Sequence, residues 1–187
     1  LPGFEIRLFA AEPDVANPVA MSWDERGRLW VLELYEYPSG TKPGEKGRDR
    51  IKILEDTDGD GRVDKVSVFA DGFTLATGLL CANGGVYLGA APNLYFLKDT
   101  DGDGVADERT IVQTGFGMED RHELLNGFTW GPDGLIYMTH GVFTVTKAVD
   151  PARPGTPTVL TAGVARFRPG ERRLEVFAEG TSNPWGV

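Results

Sequence analysis

The phrase DTDGDGRVD at residues 56–64 returns as DTDGDGVAD at residues 99–107, with Asp56 and Asp99 offset by 43 residues. Short runs that alternate apolar and polar flank each copy: RIKILE (50–55) and KVSVFA (65–70), then NLYFLK (93–98) and ERTIVQ (108–113). A period of two sends side chains to opposite faces of a strand, and Asp-Gly pairs between two such runs mark a hairpin. A lone two-stranded ribbon buries too little surface to stand in water, so a recurring hairpin must belong to a larger stacked unit. An interval of about 40–45 residues is that of a propeller blade.

The repeat extends beyond the hairpins. VFADGFTLATGLL (68–80) returns loosely as LFAAEPDVANPVAM (8–21) and VFAEGTSNPWGV (176–187), and WDERGRLWVLE (23–33) returns as WGPDGLIYMTH (130–140). No stretch shows helical periodicity. Each copy reads as four strands, a to d. The first is VAMSWD (19–24), RLWVLE (28–33), RIKILE and KVSVFA; the second is ATGLLCA (76–82), GVYLGA (85–90), NLYFLK and ERTIVQ. The third is NGFTWG (126–131), GLIYMT (134–139), GVARFR (163–168) and RLEVFA (173–178). The expectation is an all-β chain forming one partial β-propeller domain over 1–187, with blades near 19–70, 76–113 and 126–178. One orphan strand is expected at each end, FEIRLFA (4–10) and NPWGV (183–187). Three blades fall short of the usual minimum of about four for a closed ring. The chain is therefore expected to be a fragment of a larger propeller or to complete itself with another chain.

Acidic residues number 28 against 19 basic ones, giving a net charge of -9, which disfavours nucleic acid and anionic membrane surfaces as partners. Cys81 is the single cysteine, so no intrachain disulfide can form. No apolar run approaches the roughly 20 residues that span a bilayer, and LPGFEIRLFA has no basic or apolar leader region, so a targeting segment has been removed or never existed.

The acids fall at positions 1, 3, 5 and 9 of a calcium-loop pattern, with glycine at position 6: Asp56, Asp58, Asp60 and Asp64 around Gly61, then Asp99, Asp101, Asp103 and Asp107 around Gly104. Alternate residues in a tight turn can aim several carboxylates inward at a hard cation. Position 12 is Ser67 or Thr110 instead of Glu, and the flanks are strands, so two weak structural Ca2+ sites are expected. The plain alternative is a pair of Asp-Gly hairpins without metal.

Blade connections alternate between two faces, and both acidic turns are c-to-d hairpins. Function is expected on the opposite face, where loops are uneven. There TGFGMEDRHELLNGF contributes Arg121, His122, Glu123 and Asn126; ELYEYPSGTKPGEKGRD contributes Glu33, Tyr35, Tyr37, Lys42 and Arg48; HGVFTVTKAVDPARPGTPT begins at His140; and Asn183 belongs to the last d-to-a loop. His122 is the candidate general base, with Asp120 or Glu123 to orient it; the alternative for either histidine is a plain hydrogen bond within a loop. Trp23, Trp130, Trp185 and Tyr137 are expected in blade cores, and Asp133-Gly134 in a β-turn.

At DRHELLNGFTWGPDGLIYMTHGVF, LPGFEIRLFAAEP, DTDGDGRVD and GTSNPWG, the chain resembles the N-terminal propeller of a family of membrane-bound dehydrogenases, itself similar to soluble quinoprotein glucose and sorbosone dehydrogenases. The resemblance implies a six-bladed propeller, exported to the periplasm or cell exterior, acting on a sugar-like small molecule with pyrroloquinoline quinone (PQQ). It also implies a haem or cytochrome-like domain outside this chain. In that pattern a histidine shortly before a GPD turn takes the hydroxyl proton, and His122 stands nine residues before Gly131. The pattern also has arginine before Asn-Pro where this chain has Ser182 before Asn183 and Pro184. Two competing readings are a non-catalytic propeller that binds a glycan or protein, and a lactonase-type hydrolase with calcium on the central axis.

Overall fold

Every alternating run assigned to the three four-strand units becomes a strand in the computed structural model, which describes residues 2–180 and 182–186. The first antiparallel sheet is β1 (Pro18–Trp23), β2 (Leu29–Glu33), β3 (Asp49–Glu55) and β4 (Lys65–Phe73), in that order. The second is β5 (Ala76–Ala82), β6 (Gly85–Ala90), β7 (Asn93–Lys98) and β8 (Glu108–Thr114). The third has the order β14-β13-β10-β9, from β9 (Asn126–Trp130), β10 (Ile136–His140), β13 (Gly163–Arg168) and β14 (Arg173–Glu179). Between β10 and β13, where an uninterrupted loop is expected, a small hairpin of β11 (Thr146–Ala148) and β12 (Thr158–Leu160) intervenes. Apart from one 3-10 turn at Pro169–Glu171, the described residues form no helix, and none is long and apolar enough to cross a membrane.

The second sheet lies between the other two. One core joins Trp30, Ile51 and Phe69 of the first sheet to Leu79, Val86 and Leu88 of the second. Another joins Leu80, Tyr87 and Leu94 of the second to Ile136, Met138 and Phe167 of the third. β13 shows how alternation builds this packing: Gly163, Ala165 and Phe167 are buried, while Val164, Arg166 and Arg168 between them are partly exposed. Removing one such large apolar side chain from water contributes about 1.5–3 kcal/mol. β5 lies against both β1 and β9, so the first strands of all three sheets run side by side. Glycine permits the β5–β9 approach, because a Cβ at Gly78 would lie 2.6 Å from the Phe128 ring.

Three expectations are corrected. Residues 4–10 join no ladder; the Phe9 carbonyl instead accepts from Val63 N–H at 3.0 Å. Residues 183–186 are irregular, and Val187 lies outside the described residues. Neither segment pairs with a strand in a backbone ladder, and a strand needs such a partner for its backbone groups. The tryptophans differ too: Trp30 is buried, whereas Trp23, Trp130 and Trp185 are 58%, 42% and 54% exposed. Trp23 and Trp130 close β1 and β9, at the edges of their sheets, where one flank has no hydrogen-bonded strand.

Candidate functional site

The two acidic turns repeat each other bond for bond. Asp56 accepts from Gly59 N–H at 2.7 Å and Gly61 N–H at 2.9 Å; Asp99 accepts from Gly102 at 2.6 Å and Gly104 at 2.8 Å. The glycines supply the left-handed backbone, with φ of 81° and 87° in the first turn and 85° and 89° in the second. In each turn three carboxylate oxygens lie within 4.8 Å of one another, from Asp56, Asp58 and Asp60, and from Asp99, Asp101 and Asp103. Two oxygens each about 2.4 Å from a shared Ca2+ are no farther apart than about 4.8 Å, so both triads fit that ion. Asp64 and Asp107 stand outside the triads. They fasten the turns, Asp64 accepting from Thr57 N–H at 2.7 Å and its hydroxyl at 2.9 Å, Asp107 from Thr100 at 2.9 and 2.5 Å.

At the other end of the sheets, the loop of residues 34–48 meets the loop of residues 115–125. Arg121 donates to the carbonyls of Pro38 and Ser39. The Tyr37 ring stands edge-on to His122, with centroids 5.6 Å apart. Asp120 accepts from the His122 backbone N–H and pairs with its Nδ1, both at 2.9 Å. These two bonds hold the Asp120 carboxyl below its ordinary range. Nδ1 is thus tied to the carboxylate, and 68% of the side chain is exposed.

The other candidates go elsewhere. Glu123 is buried and accepts from Val142 N–H at 3.0 Å, closing the chain where β10 ends. Asn126, fully buried, donates to the carbonyls of Leu124 and Pro184 and accepts from the Thr139 hydroxyl and Gly186 N–H, anchoring the 184–186 segment. His140 ends β10 toward the same loops, yet its ring is fully buried and stacked on Phe116. Thr146 Oγ1 accepts from Gly117 N–H and lies 3.2 Å from His140 Nε2, where the ring's tautomer sets which of the two donates. Burial pushes the His140 pKa down, which favours the neutral ring. Lys42 and Asn183 lie on the surface.

The family model of a domain of unknown function (DUF7133) matches residues 1–187. The chain belongs to that family. No curated protein matches it. The family's description assigns no chemistry, so the residues must supply it.

A buried charge cluster behind the 34–48 loop was only partly visible in the sequence. Glu33 is fully buried and receives Arg50 Nε at 2.5 Å, Lys52 Nζ at 2.9 Å, Ala16 N–H at 2.8 Å and the Tyr35 hydroxyl at 2.9 Å. Burial alone would raise its pKa, but Lys52 and the other donors hold it below the usual range. Asp49, equally buried, accepts the backbone N–H groups of Tyr35, Glu36 and Ala76 and has no cation bonded to it among the described residues, so burial prevails and its pKa is raised. Glu33 faces Arg50 directly across the β2–β3 ladder, a cross-strand pair that the strand alignment alone would have revealed.

Proposed function

We propose that the three sheets are successive blades of a β-propeller of six-bladed type, calcium-stapled at its hairpins, in an exported oxidoreductase akin to the sugar dehydrogenases. In this reading His122 is the proton acceptor on the loop face. Side-by-side first strands and face-to-face sheets support the blades. Converging carboxylates in both acidic turns support the staples. Three carboxylates without a Glu at position 12 make weak sites, which suits the millimolar calcium found outside cells.

The observation that carries the chemistry is the dyad, in which Asp120 fixes Nδ1 of His122 at 2.9 Å and leaves Nε2 to receive a proton from a sugar-like hydroxyl. That supplies the proton-accepting half of an alcohol oxidation, whose hydride must pass to an acceptor outside this chain. PQQ is a tricarboxylate and needs cations around it. Beside His122, Arg121 is spent on the Pro38 and Ser39 carbonyls. The residues at this point do not fit the quinone. A lactonase-type reading has less support, since the acid triads gather at hairpins and not on the inner strands β1, β5 and β9.

The test is dye reduction with a panel of sugars, with and without added PQQ, by the protein containing this chain. His122→Ala should lower turnover by about 10² or more, and Asp120→Asn by less. Turnover unchanged in His122→Ala would remove the base from the scheme. The second reading, a propeller that binds a glycan without transforming it, draws on the openness of the dyad: no wall of described residues encloses the 68%-exposed ring. Saccharide binding with no turnover of any sugar would favour it.

A further inference from the structure

A pocket of about 480 Å³, lined by Tyr35, Lys46, Gly47, Arg48, Arg50 and Asp71, opens where the 34–48 loop passes β4. Three cations line this one hollow in a chain of net charge -9. Their acidic partners are set behind them. Glu33, bonded to Arg50, is fully buried; Glu36, bonded to Arg48 at 2.8 Å, keeps 11% of its side chain exposed, against 69% for Arg48. At Arg48 and Arg50 the positive charge therefore faces water while the compensating charge does not. Asp71 alone brings negative charge to the rim, bonded to Lys46 Nζ at 3.0 and 2.9 Å. Arg109 adds a further cation there, donating to the Asp71 carbonyl at 3.0 Å.

The two guanidinia are fixed in advance. Both lie over the Tyr35 ring, Arg48 at 5.8 Å and Arg50 at 5.4 Å from its centroid. Arg48 is tied through Nε to Glu36 and through Nη2 to the Tyr35 carbonyl; Arg50 through Nε to Glu33 and through Nη2 to the Tyr35 hydroxyl. Both ties leave Nη1 as a donor, and a planar donor held in place loses little freedom when an anion arrives. The wall is equally specific. A Cβ on Gly47 would fall 1.6 Å from the Phe73 carbonyl oxygen, so only glycine lets the loop close against β4.

We propose that this pocket binds an oxyanion, free or carried as the acid group of a saccharide, at a site separate from the His122 dyad. The test is calorimetric titration of the protein with inorganic phosphate, glucuronate and glucose, with thermal melts to verify folding. Phosphate or glucuronate should bind and glucose should not, with affinity falling as salt rises. Arg48→Gln and Lys46→Gln, both surface changes, should each weaken binding about tenfold. Glucuronate tighter than phosphate assigns the anion to a saccharide; the reverse assigns it to the free ion. Glucose binding equal to glucuronate, no binding of either anion, or anion binding unchanged in folded Arg48→Gln would overturn the site. Binding lost in His122→Ala would overturn its separateness.

Discussion

The two acidic turns have the same internal bonds and different supports. In the first, Val63 N–H donates to the Phe9 carbonyl at 3.0 Å; in the second, Ala106 N–H donates to the Phe69 carbonyl at 2.8 Å. Phe9 and Phe69 occupy matching places in the repeated LFA and VFA motifs, so each turn docks on the same feature of the chain that precedes its sheet. Phe69 belongs to β4, is 2% exposed and meets Trp30 edge-on at 4.5 Å. Phe9 is half-buried in a segment without a ladder, its ring centroid 6.2 Å from that of Trp23. The turn is thus built by its own nine residues, whereas the strength of its dock depends on what lies beside it.

The largest consequence falls on the two phenylalanines. Phe69→Ala should cost about 3–5 kcal/mol, because a fully enclosed ring leaves a cavity. Phe9→Ala should cost about 1 kcal/mol, as its neighbourhood can close or fill with water. Urea unfolding of the two variants measures the difference. Equal losses would break the distinction between a core dock and an edge dock.

Calcium comes next, and here the turns should behave alike. Saturating calcium is expected to raise Tm by about 5 °C, with two ions taken up per chain. Asp60→Asn together with Asp103→Asn should abolish both the shift and the uptake, and either change alone should halve the uptake. Unequal occupancy of the two turns in the unmodified protein would mean that the dock, and not the turn, sets the site.

Local patterns were legible in the sequence because they obey local physics. The strands and acidic turns follow from a period of two and from Asp-Gly chemistry: nearly all of the twelve strands expected in the three four-strand units stand within two residues of their observed bounds, whereas the two orphan strands expected at the ends do not form. Longer reach defeated the reading. Glu123, Asn126 and His140 carry groups suited to chemistry, but partners 13 to 60 residues away turn Asn126 into an anchor, and Glu123 and His140 are likewise taken up in holding loops. The β11–β12 hairpin escaped notice because its strands are three residues each and residues 149–157, rich in proline, separate them. The alternation in TVTKAV was the available signal. Exposed Trp23 and Trp130 show the same limit, since hydrophobicity does not say which flank of a sheet has a neighbour.

The smallest expected effect separates the two turns by a single hydroxyl. Asp64 and Asp107 both have lowered pKa values, but the leading cause for Asp64 is the Thr57 backbone N–H, and for Asp107 it is the Thr100 hydroxyl. Because the folded values lie below the ordinary 3.8, these bonds contribute stability above that pH and lose it as the pH falls through the folded value. In metal-free protein followed by carboxyl carbon NMR, both groups should titrate below 3.8. Thr57→Ala and Thr100→Ala remove the hydroxyl and keep the amide, so Asp107 should rise further toward its ordinary value than Asp64. An equal rise would mean that the 2.5 Å hydroxyl bond to Asp107 is worth no more than the 2.9 Å bond to Asp64, and the turns would then be alike in energy as well as in form.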